Sequence, residues 1–353
     1  MSHRCVAPAR FGLTAVVVAV CLSATISGAE EWTLPRTADG HPDLQGVWDF
    51  RTLTPLQRPS SQSEQSVLTA EEAAEVDQRS ADRTAKQNEP SEVRTEPLPE
   101  GGDVGAYNNY WFDAGAKVVE DLRTSLIVDP PDGRIPPRVA GVKEQSMGSD
   151  DGPTDRPVRF RVGGIGTEGP EDRGLAVRCL LGFNTGPPIT PGGYNQNVQI
   201  FQSANTVALL NEMVHDVRII PIDDRPDLPD GIRQWMGSSR GRWEGDTLVV
   251  ETANFTDKTA SFSPNVVSAI GSGFGLQLTE RFRRVDEDTL LYEFTVNDPA
   301  TFERPFTAVL PMQKSDQPLF EYACHEGNYG LHNILSGARA AERAAAEEVA
   351  TQE

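Results

Sequence analysis

Apolar and polar residues alternate at period two through most of the chain beyond Tyr194, which is the pattern of half-buried β-strands. Val207, Leu209, Met213, Val217 and Ile219 fall on one such face, with Glu212, Asp216 and Arg218 on the other. Leu290, Tyr292, Phe294 and Val296 alternate with Leu291, Glu293 and Thr295. Phe306, Ala308, Leu310 and Met312 make another strand, and Phe320, Tyr322 and Cys324 a further one. Trp243-Glu244-Gly245-Asp246-Thr247 reads as a tight hairpin leading into Leu248-Val249-Val250, since glycine supplies the left-handed backbone that such turns demand. Five or more strands joined by short turns predict a mainly β fold, an antiparallel hairpin-built barrel or sandwich. A calycin-like barrel is one form of it, because closure removes exposed sheet edges.

The pattern divides the chain. Residues 1–29 read as a signal peptide and 30–192 as an extended, loop-rich N-terminal region wrapping the body. Within that region, 60–103 is an acidic helical excursion. Thr69 with Glu72 forms a capping box opening a helix to about Lys86, with little apolar face. Residues 193–337 form the antiparallel β domain, and 338–353, rich in Ala and Glu, a short surface helix.

Composition narrows the class. The chain has 353 residues and a formal net charge of −20. Loss of Arg4 and Arg10 with the leader takes this to −22, with 30 bases against 52 acids. So acidic a surface offers no electrostatic footprint for nucleic acid or an anionic bilayer. Arg4 and Arg10 precede the apolar run Leu13–Leu22, and Ser27-Gly28-Ala29 supplies small residues for cleavage. The run is too short to span a bilayer, which takes roughly 20 residues. The reading is an exported, periplasmic or extracellular protein with no membrane insertion after cleavage. Cys5 and Cys21 leave with the leader, and the remaining Cys179 and Cys324 are expected to pair as a disulfide.

Several motifs invite chemistry. Gly164-Ile165-Gly166-Thr167-Glu168-Gly169 spells a dinucleotide fingerprint, but Pro170-Glu171-Asp172 comes next, where a helix must start. Gly237-Ser238-Ser239-Arg240-Gly241 has the spacing of a nucleophile elbow, yet leads into a hairpin rather than a helix. His325-Glu326 begins a zinc-protease spelling, but Tyr329 stands where the second histidine belongs. A metal-dependent or serine hydrolase therefore ranks last, and no cofactor or metal is expected. What remains is an acid–base set. His215, placed on the apolar strand face, and His325 are the proton-transfer candidates, with Glu326 and Tyr329 beside them. Arg240, Arg242, Trp235 and Tyr194 are candidates to hold a planar or anionic substrate.

The stretch from Tyr194 to Arg339 resembles an exported bacterial family of uncharacterised proteins. The resemblance rests on HDVRIIPIDDRP (215–226), QWMGSSRGRWEGDTLVVETANF (234–255), LTERFRRVDEDTLLYEFTVNDP (278–299) and EYACHEGNYGLHNILSGAR (321–339). RTSLIVDPPDGRIP (123–136) and PRTADGHPDLQGVW (35–48) fit the same family. It implies export and a single unit over 30–340, and carries no activity or catalytic residue with it. Two function classes survive. One is a cofactor-independent acid/base enzyme (lyase, isomerase or hydrolase) acting on a small, partly apolar molecule. The other is a non-catalytic small-molecule-binding β-barrel. They separate on geometry: an enzyme needs its proton-transfer groups to converge on one pocket, whereas a binder needs only an apolar pocket with a few polar anchors.

Overall fold

Alternation becomes strand wherever one face can be buried. In the computed structural model, described over residues 32–90, 95–96, 112–113, 115–146, 166–266 and 268–352, the body is one large antiparallel sheet. Its strands are β1 (Gly46–Asp49), β2 (Ile127–Asp129), β4 (Asn197–Ser203), β5 (Thr206–Asn211), β6 (Val217–Pro221), β7 (Ser238–Glu244), β8 (Thr247–Ala253), β10 (Gln277–Arg284), β11 (Thr289–Asn297) and β12 (Phe306–Ser315). Two short strands, β3 (Glu144–Ser146) and β9 (Ser268–Ile270), pair separately. The order across the large sheet is β6-β5-β4-β1-β12-β11-β10-β8-β7, with β2 added beside β12. The predicted leader lies outside the described residues.

The inner face carries the core. Leu290, Tyr292, Phe294 and Val296 from β11 and Phe306, Ala308, Leu310 and Met312 from β12 are all buried, as the alternation predicts. The sheet curls until its edge strands β6 and β7 touch. A Cβ on Gly241 would stand 2.9 Å from Ile220 Cγ2, so glycine is what lets the edges approach. Among the described residues no ladder of hydrogen bonds joins β6 to β7, and the strand order is an open path rather than a ring.

Four expectations change. The N-terminal region does not simply wrap the body: β1 enters the middle of the sheet between β4 and β12. Residues 34–45 behave as an arm, crossing one end of the curled sheet. His41 stacks on Trp243 at 5.1 Å, Arg36 pairs with Asp246 at 2.7 Å, and Leu44 N–H donates to Gln202 Oε1 at 2.9 Å. At the other terminus, Phe320, Tyr322 and Cys324 form no strand, and Phe320 is exposed. The C-terminal helix is longer than expected: α2 covers Gly330–Gln352. The acidic helix, α1 (Ala70–Gln87), forms with the full capping box between Thr69 and Glu72.

The fourth change is a change of face. Alternation places His215 on an apolar strand face with Met213, Val217 and Ile219. Instead Met213–His215 is a 3₁₀ turn in which Val214 (φ +60°) and His215 (φ +48°) adopt left-handed backbone. Chain reversal pairs Leu209 with Arg218 and Val207 with Ile220. Paired residues share a face, so Arg218 turns inward while Val217 and Ile219 are exposed.

Candidate functional site

The inward turn of Arg218 has a partner on β10. Leu278, Glu280, Phe282 and Arg284 share the inner face, which puts a carboxylate among apolar side chains. Arg218 donates from Nη1 to Glu280 Oε2 at 2.5 Å and from Nη2 to Oε1 at 2.8 Å. Tyr292 OH donates to the same Oε1 at 2.7 Å. Burial works against the charge on Arg218, but Glu280 outweighs it and holds the guanidinium above its ordinary value. Burial, reinforced by the Glu280 charge, pushes the Tyr292 phenol well above its ordinary range, so it stays a neutral donor. No buried side-chain polar atom of these three residues is left without a hydrogen-bond partner, which is what makes a buried ion pair tolerable.

Tyr292 also accepts the Ile189 N–H at 3.0 Å. Ile189 belongs to an irregular stretch, residues 181–190, that is buried along its whole length. Buried backbone without a ladder must find other partners, and side chains supply several. Gly182 N–H donates to Asp216 Oδ2 at 2.8 Å, and Gly192 N–H to Gln196 Oε1 at 2.7 Å. Asn184 donates to the carbonyls of Tyr194 and Asn195. This stretch occupies the end of the sheet opposite the N-terminal arm.

Beside it opens a cleft of about 390 Å³ between the 52–56, 190–193 and 264–266 segments. Leu53, Leu56, Leu126, Pro191 and Val266 make it mainly apolar, with Thr52 and Asn265 as polar groups on its lining. A second cleft, about 450 Å³, lies under the 227–230 loop and contains Arg240 and Glu251. There both terminal nitrogens of Arg240 are occupied by the carbonyls of Ser239 (2.9 Å) and Pro226 (3.1 Å). A third, about 800 Å³, separates α1 from β1 and β12. Its Arg51 is engaged by Asp49 and Asp113, whose hydrogen bonds and charges hold the guanidinium well above its ordinary value.

The sequence-predicted residues are spread over these features. His215, His325, Glu326 and Tyr329 are all exposed, and they line none of the three clefts. Their segments nonetheless meet: Met213 and Val214 pack in one cluster with Cys324, Phe183, Tyr194 and Val266. Tyr194 stands edge-on to Phe183 at 5.1 Å and to Phe112 at 5.9 Å. Trp235 is half-buried before β7, and Arg242 is exposed between Glu244 and Glu251. Cys179 and Cys324 lie at disulfide distance, with Cα atoms 5.9 Å apart.

The weaker motifs resolve as well. Ser239 is a strand residue whose hydroxyl shares a hydrogen bond with Thr252 at 2.9 Å, not an elbow. Gly164 and Ile165 lie outside the described residues, and after Gly169 the chain makes only a one-turn 3₁₀ helix, Pro170–Asp172. Among the described residues no three His, Cys, Asp or Glu side chains gather as a metal cage. Sequence reasoning missed Arg218, Glu280 and Tyr292 as a group. The available signal was Glu280, which shares the period-two parity of Leu278 and Phe282. The chain matches no protein-family model, no curated protein and no solved structure.

Proposed function

We propose that the protein is an exported carrier or sensor that binds a small, mainly apolar molecule in the cleft between residues 52–56 and 190–193, without transforming it. The observation that carries this reading is an apolar cleft of about 390 Å³ with polar groups at Thr52 and Asn265. That volume lies within the range of small-molecule sites. The exposure of the four acid–base candidates supports binding over catalysis, and the disulfide-distance cysteines support export. An acid/base lyase, isomerase or hydrolase is the second reading. One observation favours it: Val266, on the cleft lining, packs in the cluster that also holds the segments bearing His215 and His325.

The test is a fluorescence titration of the purified protein with the neutral apolar probe N-phenyl-1-naphthylamine, in wild type and in Val266→Trp. Binding to wild type that weakens at least about tenfold in a folded Val266→Trp variant, a loss of about 1.4 kcal/mol, is the expected result. Equal affinity in both, or no binding at all, counts against the site. Candidate ligands recovered chemically altered from wild type, and unaltered from His215→Ala or His325→Ala, would replace the carrier reading by the enzyme one.

A further inference from the structure

We infer that Tyr292 is a positioning residue for this cleft, fixing through its hydroxyl the wall formed by residues 190–193. The inference rests on reading the cleft as the ligand site. Tyr292 is fully buried, and its ring packs between Phe282 (centroids 4.9 Å) and Phe294 (5.8 Å) on the inner face. Its hydroxyl faces two ways, donating to Glu280 Oε1 and accepting the Ile189 N–H. Glu280 is in turn locked by both terminal nitrogens of Arg218. The chain Arg218–Glu280–Tyr292 therefore spans β6, β10 and β11 and ends on one backbone amide outside the sheet. That amide belongs to the residue immediately before Thr190, where the cleft wall begins.

The wall is held at its other end too. Gly192 N–H donates to Gln196 Oε1, and Gln196 Nε2 donates to the Asp113 carbonyl. Residues 190–191 thus lie between two side-chain anchors, and neither anchor is a β-ladder bond. A buried ion pair is weak evidence for stability, since apolar packing of equal volume serves as well or better. What apolar packing lacks is a directional bond, and among the described residues the network's one bond to a segment outside the sheet ends on Ile189, next to the cleft wall. A fixed wall lowers the ordering cost of binding.

Tyr292→Phe removes the hydroxyl and keeps the ring. The experiment compares wild type, Tyr292→Phe and Leu310→Val by residue-resolved amide exchange and by titration with N-phenyl-1-naphthylamine. Leu310→Val truncates the cross-strand neighbour of Tyr292 on β12, leaves the hydroxyl's hydrogen bonds in place, and so controls for loosened packing around the ring. The expected result has the Ile189 amide exchanging at least about tenfold faster in Tyr292→Phe, with β11–β12 ladder amides unchanged. Probe affinity falls in the same variant, by at most about five- to tenfold, because the ordering cost shifted onto binding cannot exceed the one buried hydrogen bond lost, and stays near wild type in Leu310→Val. Unchanged exchange at Ile189, unchanged affinity in Tyr292→Phe, or an equal loss in Leu310→Val each overturns the inference. A wild type that does not bind the probe removes the site reading itself, and the inference falls with it. That outcome is recognisable because Ile189 exchange still reports the hydroxyl bond.

Discussion

Glu280 sits between Leu278 and Phe282 on the inner face of β10, a position where strand geometry leaves a side chain no route to solvent. Its charge is tolerated because Arg218 and Tyr292 supply three donors to its two oxygens. Replacing it with leucine strands the Arg218 guanidinium in the core. We expect Glu280→Leu to cost about 3–5 kcal/mol in urea unfolding, and the double variant Glu280→Leu/Arg218→Met to recover most of it. Equal losses in the two variants would show that the pair contributes packing rather than charge compensation. Half of this arrangement is legible in the sequence. The parity of Glu280 can be read from Leu278-Thr279-Glu280-Arg281-Phe282, but that of Arg218 cannot. Arg218 comes after a turn whose two left-handed residues are Val214 and His215; valine rarely adopts that backbone, although histidine does so more often than most, so straight-through counting puts Arg218 on the wrong face.

At the level of elements, local signals work where local chemistry decides. Thr69 accepts the Glu72 N–H at 3.2 Å, and Glu72 Oε2 accepts the Thr69 N–H at 2.8 Å. Thr69→Ala should destabilise α1 by about 1 kcal/mol, seen as faster exchange of its first-turn amides. The Thr69 amide, with a second bond from Gln65, holds the Glu72 carboxyl below its usual range. A carboxyl depressed in the folded state stabilises above its unfolded pKa and loses that contribution as pH falls through its folded one. Protection of the α1 first turn should therefore fade on acidification below the ordinary glutamate range; protection independent of pH there would rule out the carboxylate's part. The β7–β8 hairpin is equally legible, and Gly245 takes φ +60° at its turn. The 320–324 segment is not, because alternation over a few residues implies a strand only if a neighbour offers a free edge. Here Cys324 N–H bonds within its own turn, to the Tyr322 carbonyl, at 2.9 Å.

Across the whole molecule, one curled sheet is covered at both ends by segments of irregular backbone. The arm at 34–45 ties Gln202 to the β7–β8 turn, and the 181–196 stretch covers the opposite end. Cys179, just before that stretch, and Cys324, in the segment leading into α2, lie at disulfide distance across 145 residues of sequence. Reduction, or replacement of both cysteines by alanine, should lower stability by up to about 4–5 kcal/mol in the chain-entropy account. It should also speed amide exchange at 175–190 more than on β10–β12. A uniform loss of protection would place the disulfide's effect in the unfolded chain alone.

The sequence by itself determined most of the strands beyond Tyr194, where α1 starts, and that Cys179 and Cys324 form a pair, because period, capping and residue type are read over a few residues. Only the tertiary structure decided that β1 enters the sheet centre, that Arg218 points inward to Glu280, and that His215 and His325 face solvent. Each of those depends on which distant segment lies alongside, and on a turn that exchanges the two faces of a strand. The alternation of one strand carries no record of either.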